Sequence, residues 1–226
     1  MIESCLIGNM YDLGETLAAD LFAGKDYPWE VLGDIGDFIR KIGPALDPAV
    51  FERRGEDMYI AKSVTIAETA TLRGPLIIDE NTEVRPGAFI RGNVIVGKDC
   101  VVGNSTELKN VVLFNHVQVP HYNYVGDSVL GYFSHMGAGS ITSNVKSDKT
   151  LVVVHGEDEE IPTGRKKFGA MLGDHVEIGC NTVLNPGTVV CRNTNVYPVS
   201  CVRGVVPPDS IWKNTAPHEI ILKKDL

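Results

Sequence analysis

Residues 60–114 read IAKSVTIAETATLRGPLIIDENTEVRPGAFIRGNVIVGKDCVVGNSTELKNVVLF. A branched or large apolar residue recurs there at every sixth place: Ile60, Ile66, Leu72, Ile78, Val84, Ile90, Val96, Val102, Leu108 and Phe114. Four places after each, the residue is usually small or β-branched, as at Val64, Ala70, Thr82, Ala88, Val94, Cys100, Thr106 and Val112. Gly, Asn, Asp and Lys fill the places between. An amphipathic helix repeats at 3.6 and a half-buried strand at 2, so a period of six needs another object. One short strand and one corner per hexapeptide, three hexapeptides per coil, make a triangular parallel solenoid of about 18 residues per turn. The sixth-place residues then stack inside it, and Gly97, Gly103, Asn104, Gly131, Gly173 and Gly179 suit tight corners.

Outward from this stretch, the phase slips after Pro120, restarts at Tyr124, Leu130 and Met136, and returns at Leu172, Ile178, Leu184, Val190, Val196 and Val202. The interruption, SNVKSDKTLVVVHGEDEEIPTGRKKFGAM (143–171), holds a β-rich run at 151–154, an acidic turn at 157–160 and the basic cluster Arg165-Lys166-Lys167. It reads as an excursion from one corner, where a rod-like fold builds binding surface. Ahead of the repeat, Leu13, Leu17, Leu21 and Phe22 fall on one helical face, and Val31, Leu32, Ile35, Phe38, Ile39 and Ile42 form a second stripe. Pro28 suits the first turn of that second helix and Gly43-Pro44 ends it. The chain is thus expected to be all-β, a β-helix over 60–212 with a helical module at 1–59 and a tail at 213–226. The module is expected to cover one end of the solenoid or to pack against a neighbour.

Composition bounds the function. The 226 residues suffice for a substantial core, and Lys+Arg 21 against Asp+Glu 29 gives a formal charge of -8, so no global positive field gathers nucleic acid or anionic lipid. No window approaches the roughly 18 consecutive apolar residues of a membrane span. The first twenty residues hold no Lys or Arg, unlike a signal peptide. Cys5, Cys100, Cys180, Cys191 and Cys201 are odd in number, form no C-x-x-C pair, and read as reduced core thiols. A cytoplasmic location is expected.

The hexapeptide pattern resembles the left-handed β-helix of hexapeptide acyltransferases. Two further motifs, VPHYNYVGDSVLG (119–131) followed by GAGSITSN (137–144), and TGRKKFGAMLGDHVEIG (163–179), make the likeness more specific. They resemble the N-acetyltransferase half of bifunctional sugar-1-phosphate nucleotidylyltransferases, over roughly residues 60–212. The resemblance implies an acetyl-CoA-dependent acetyl transfer to an amino sugar 1-phosphate, in a homotrimer, without a required metal. An ammonium must lose a proton before it attacks a thioester, which calls for a base with pKa near the working pH. His121 matches the family's general base. Lys109 matches its phosphate-contacting lysine, and Arg91 is preferred over Arg85 as the accompanying arginine. Tyr124 matches a substrate-contacting tyrosine, and Asn144 an asparagine near both the amine and the acetyl group; such donors suit a forming oxyanion. Lys149 and Lys167 are the candidates for a loop lysine over the sugar. His135 stands where many members carry asparagine, and a histidine there still hydrogen-bonds a hydroxyl. For acetyl-CoA the likeness points to Ala138 and the Asn144-Val145 backbone near the thioester, then Cys180 and Pro198 along the pantetheine.

Two other readings stay open. His116 and His121, followed by VGDSVLG, resemble the gamma-class carbonic anhydrases, whose zinc needs three protein ligands. All six histidines (His116, His121, His135, His155, His175, His218) lie at or after 116, and Glu80 stands near the place of the missing upstream ligand. The other reading is a solenoid that serves as a non-catalytic scaffold or regulatory subunit. With only 59 residues ahead of the repeat and no Gly-rich phosphate loop, pyrophosphorylase activity is not expected.

Overall fold

The computed structural model describes residues 2–214; of the expected tail, only Lys213 and Asn214 fall within it. From Met58 onward the chain winds as parallel coils with three flat faces. The first face runs through Thr65–Ile66, Glu83–Val84, Val101–Asn104, Gln118–His121, His135–Met136, Glu177–Ile178, Asn195–Val196 and Ile211–Trp212. The second runs through Thr71–Leu72, Phe89–Ile90, Ile141–Thr142, Val183–Leu184 and Cys201–Val202. The third runs through Met58–Ala61, Leu76–Ile78, Val94–Val96, Ala170–Leu172, Thr188–Val190 and Val205–Val206. Sixth-place residues such as Ile78, Val84, Ile90, Val96, Val102 and Leu108 are buried and stack coil on coil, as period six requires.

Two coils are one residue short, and they lie where the sequence loses phase. Ile78 pairs with Val96 eighteen residues on, but Val96 pairs with Leu113 and Leu113 with Leu130, each seventeen on. The missing residue comes from the corner between the second and third faces. There Glu107–Leu113 and Tyr124–Leu130 run through as unbroken seven-residue strands, each bent at one left-handed residue, Asn110 (φ 56) and Asp127 (φ 49). Leu113, not Phe114, therefore takes the inward rung, and Val125, not Tyr124, pairs with Leu108. Phe114 instead joins Tyr11 and Phe22, with ring centroids 5.0 and 5.7 Å away.

The third face is covered, unlike the other two. Alternation along a strand puts its middle residues outward, and they form one ladder: Tyr59, Ile77, Ile95, Val112, Val129, Met171, Val189, Val205. From Ile77 to Val189 all are wholly buried. The N-terminal segment lies over them. The Cys191 thiol donates to the Ser4 carbonyl, Arg192 Nε to Met10 O, Asp12 N to the buried Asp174 carboxylate, Asn115 Nδ2 to Glu15, and Asn110 Nδ2 to Leu32 O. Gly43 closes against the Tyr59 ring, where a Cβ would clash. The segment is thus a strap running lengthwise from the coil at 191 to the coil at 59, rather than a cover on one end. The expected first helix is replaced by short 3-10 turns, Leu13–Glu15 and Ala19–Phe22, because the chain follows the solenoid flank instead of its own backbone hydrogen bonds. The second stripe folds as a 3-10 turn, Pro28–Gly33, and an α-helix, Ile35–Ile42, followed at Gly43–Ala45 by a further turn.

The excursion leaves the corner after Ile141–Thr142 and folds as an antiparallel hairpin, Val153–His155 with Glu160–Pro162. Val152, Val154 and Phe168 are buried, Trp29 packs on Phe168, and Arg165 donates to Glu30 O of the strap. Cys5, Cys100 and Cys191 are buried thiols, and burial pushes Cys100 up to about 12, whereas Cys180 and Cys201 are exposed and are not core residues.

Candidate active site on the second face

The shortened corner places polar side chains around one buried carboxylate. Asp127, 4% exposed, takes Lys109 Nζ on both oxygens (3.0 and 2.9 Å), Asn110 Nδ2 at 3.0 Å and Asn144 Nδ2 at 2.5 Å. Lys109 and Asp127 lie in adjacent coils, Lys109 beside Gly126. Asn144, at the root of the excursion, is held by Phe168 N on its carbonyl, and Gly169 N bonds Asp127 O. The sequence signal near this corner is the slip of phase after Pro120; the strand pairing moves the rung to Val125, five places before Leu130, and Asp127 is not among the residues the sequence singles out.

The donor inventory of Asn144 follows from these contacts. Its two Nδ2 hydrogens go to Asp127 and to the Tyr124 hydroxyl oxygen, the latter at 3.1 Å. The opposite amide orientation would set an oxygen against a carboxylate. The side chain therefore presents Oδ1, an acceptor, and has no hydrogen to spare for an oxyanion. Tyr124, accepting from Asn144, keeps its own hydrogen to donate. Burial first, then the nearby Asp127 and Glu107 carboxylates, raises the Tyr124 pKa above the usual phenol value, which keeps that hydrogen in place. The ring lies back over Gly126, where a Cβ would stand 2.6 Å from the hydroxyl oxygen.

Arg91 shares the outward column of the second face with Lys109. It bonds Glu107 at 2.6 Å and lies over the Phe89 ring, 5.8 Å from its centroid, with Arg73 5.3 Å from the same centroid. Arg85 lies elsewhere, in the first-face coil, paired with Glu83. His121 ends its strand at the edge between the first and second faces, in register with Asn104, exposed, with its imidazole making no hydrogen bond among the described residues. Backbone bonds carry that edge downward from His121 to Gly139, from Ala138 to Asn181 and from Cys180 to Val199. Ala138, Cys180 and Pro198 therefore share His121's edge. Asn144 and Val145 lie across the second face, where Val145 lines a cavity of about 420 Å³ with Lys146, Asn185 and Arg203. Within one chain the expected acetyl-CoA residues thus divide between two edges of one face.

Of the loop lysines, Lys167 adjoins Phe168 and so stands beside the Asn144 backbone, while Lys149 sits in an outlying turn. His135 is not brought to the cluster. It lies on the first face, in register with Gln118, and bonds Glu177 at 2.8 Å. The possible zinc ligands also separate: His116 stacks on Phe133 at 4.6 Å near Asp99, Glu80 pairs with Lys98, and His121 is at the strand's other end. Among the described residues no group of three or more His, Cys, Asp or Glu is placed to hold a metal, and His218 lies outside them. No helix among them is long and apolar enough to cross a membrane.

This architecture is a hexapeptide-repeat β-helix with a polar cluster on an open face. The chain belongs to the family described as the GMPPB C-terminal domain, whose model matches residues 72–206. Among curated relatives, the bifunctional protein GlmU of Methanococcus aeolicus is 30% identical over 70% of this chain and 42% of its own. GlmU of Methanococcus vannielii is 30% identical over 87% of this chain and 47% of its own. A bifunctional sugar-1-phosphate nucleotidylyltransferase/acetyltransferase of Sulfurisphaera tokodaii is 30% identical over 77% and 44%. The chain spans less than half the length of these relatives. A solved UDP-N-acetylglucosamine acyltransferase from Campylobacter jejuni is 14% identical, with TM-score 0.35, over 66% of this chain and 69% of that one.

Proposed function

We propose that the chain is an acetyl-CoA-dependent N-acetyltransferase whose acceptor is an amino sugar 1-phosphate, glucosamine 1-phosphate or a close relative. The observation that carries this reading is the pairing of an exposed, unbonded imidazole at one edge with Tyr124, Asn144 and Lys109 gathered on the adjoining face. His121 takes a proton from the acceptor's ammonium, and the freed nitrogen bonds the thioester carbon. The Tyr124 hydroxyl donates a hydrogen bond to the tetrahedral oxygen, the C–S bond breaks, the CoA thiolate takes the proton from His121, and the nitrogen's second surplus proton passes to water, leaving the neutral amide. Asn144 Oδ1 accepts from the amine. Arg91 and Lys109 receive the phosphate, Lys167 or Lys149 closes over the sugar, and His135 meets a sugar hydroxyl brought by a neighbouring copy. Acetyl-CoA runs along Ala138, Cys180 and Pro198 of one copy toward Asn144 and Val145 of another. That division is met by a homotrimer, since closed symmetry completes sites between identical faces.

The test is CoA release from acetyl-CoA with glucosamine 1-phosphate and galactosamine 1-phosphate. Turnover by the wild type that falls by about a thousandfold in His121→Ala supports the reading. No turnover by the wild type with either sugar refutes it and leaves the scaffold reading, favoured by the internal pairing of both phosphate cations with Glu107 and Asp127.

A further inference from the structure

We propose that Asp127 is a positioning residue for the acetyl transfer, acting through the Asn144 amide. This rests on the N-acetyltransferase reading, and it assigns work to a side chain that touches neither acceptor nor thioester. An asparagine between neutral partners adopts either amide orientation at similar cost. One facing an ionised carboxylate does not, because its oxygen would meet another acceptor. Asp127 is buried and bonded to Asn144 Nδ2, so Oδ1 is the atom left for the site, and no described residue donates to it. The Lys109 ammonium, on both its oxygens, is the counter-charge of that enclosed carboxylate. Lys109 thereby fixes the amide at second hand, whatever else it contacts. The shortened corner makes the arrangement possible, since the left-handed bend at residue 127 brings the carboxylate under Lys109, Asn110 and Asn144 together.

The bend also makes a clean test available, because asparagine, like aspartate, tolerates φ near 49. Asp127→Asn keeps shape and backbone but removes the charge that selects the amide orientation. Kinetics with acetyl-CoA and glucosamine 1-phosphate are compared for the wild type, Asp127→Asn, Asn144→Ala and the double variant. Asp127→Asn is expected to lower kcat by about 10-fold or more with KM for the amino sugar within about 2-fold, and to change kcat by less than about 2-fold when Asn144 is already alanine. A full additive loss in the Asn144→Ala background, a change confined to KM, or an unchanged kcat overturns the proposal. If Asp127→Asn does not fold, Lys109→Gln with Asp127→Asn, which leaves no unpaired ammonium, replaces it in the same cycle; because loss of Lys109 itself moves KM for the amino sugar, the readout is then the coupling to Asn144→Ala in kcat, and full additivity overturns the proposal. Side-chain amide NMR supplies a readout besides turnover. The Asn144 NH2 protons are expected to exchange slowly in the wild type and quickly in Asp127→Asn, and equal rates overturn the proposal. A wild type with protected Asn144 protons but no turnover would instead defeat the acetyltransferase reading alone.

Discussion

Ile95→Ala measures whether the strap seals the third face. Ile95 is wholly buried on the outward side of Val94–Val96, beneath the helix Ile35–Ile42. The substitution removes three carbons, about 0.8 kcal/mol each in lost burial, and leaves a cavity that the rigid coils above and below cannot close, for a total loss of about 3 kcal/mol. On an uncovered face the same outward position would lie in water, and the loss would stay within about 0.5 kcal/mol. Ile211, 55% exposed at the outward position of the first face, is the internal control. Urea unfolding followed by far-ultraviolet circular dichroism gives the two losses. Hydrogen exchange over residues 5–45 shows whether the strap loosens before the coils do, as a solenoid with a separate cover allows. Equal losses for Ile95→Ala and Ile211→Ala, or unaltered strap exchange in Ile95→Ala, would refute the covered-face account.

Gly126→Ala is expected to push the Tyr124 hydroxyl off Asn144 while the ring finds room outward, lowering kcat by about 10-fold with the thermal midpoint nearly unchanged; steady-state kinetics beside a thermal scan check it, and a wild-type kcat would remove Tyr124 from the site. Asp79 is 3% exposed, and burial raises its carboxyl pKa despite help from the Glu80 N–H and Lys98. A carboxyl raised in the folded state opposes folding above that pKa, and the cost vanishes below the unfolded value. Asp79→Asn should therefore be more stable than wild type at pH 7, with the two unfolding curves converging as the pH falls toward 4; convergence in the opposite direction contradicts the sign.

Much of the site is legible once the strand phase is known. The motifs single out Lys109, Tyr124, Asn144 and Arg91 as candidates, and the structure gathers these four on one face. Asp127 is not marked by the period, because the sequence sets the rung at Tyr124, a full six places before Leu130, and only the strand pairing moves it to Val125. His135 is marked for a sugar hydroxyl by its place before GAG, yet it lies one coil and three strand positions from His121, because position in this fold is set by register with Gln118, seventeen residues back, rather than by adjacency in sequence.

Period six by itself determined the solenoid. Each hexapeptide repeats the same local choice of inward apolar residue and permissive corner, so no distant contact is needed to specify the coil. The run of three apolar residues at 76–78, 94–96, 111–113 and 170–172 even marks the third face as doubly buried. What covers that face was decided only in three dimensions. Contacts such as Ser4 with Cys191 and Leu32 with Asn110 join residues far apart in the chain, and their partners are set by the geometry of stacked coils rather than by any local pattern. The same holds for the buried carboxylate at the shortened corner, where four side chains from three successive coils meet only because the coils stack at a fixed rise.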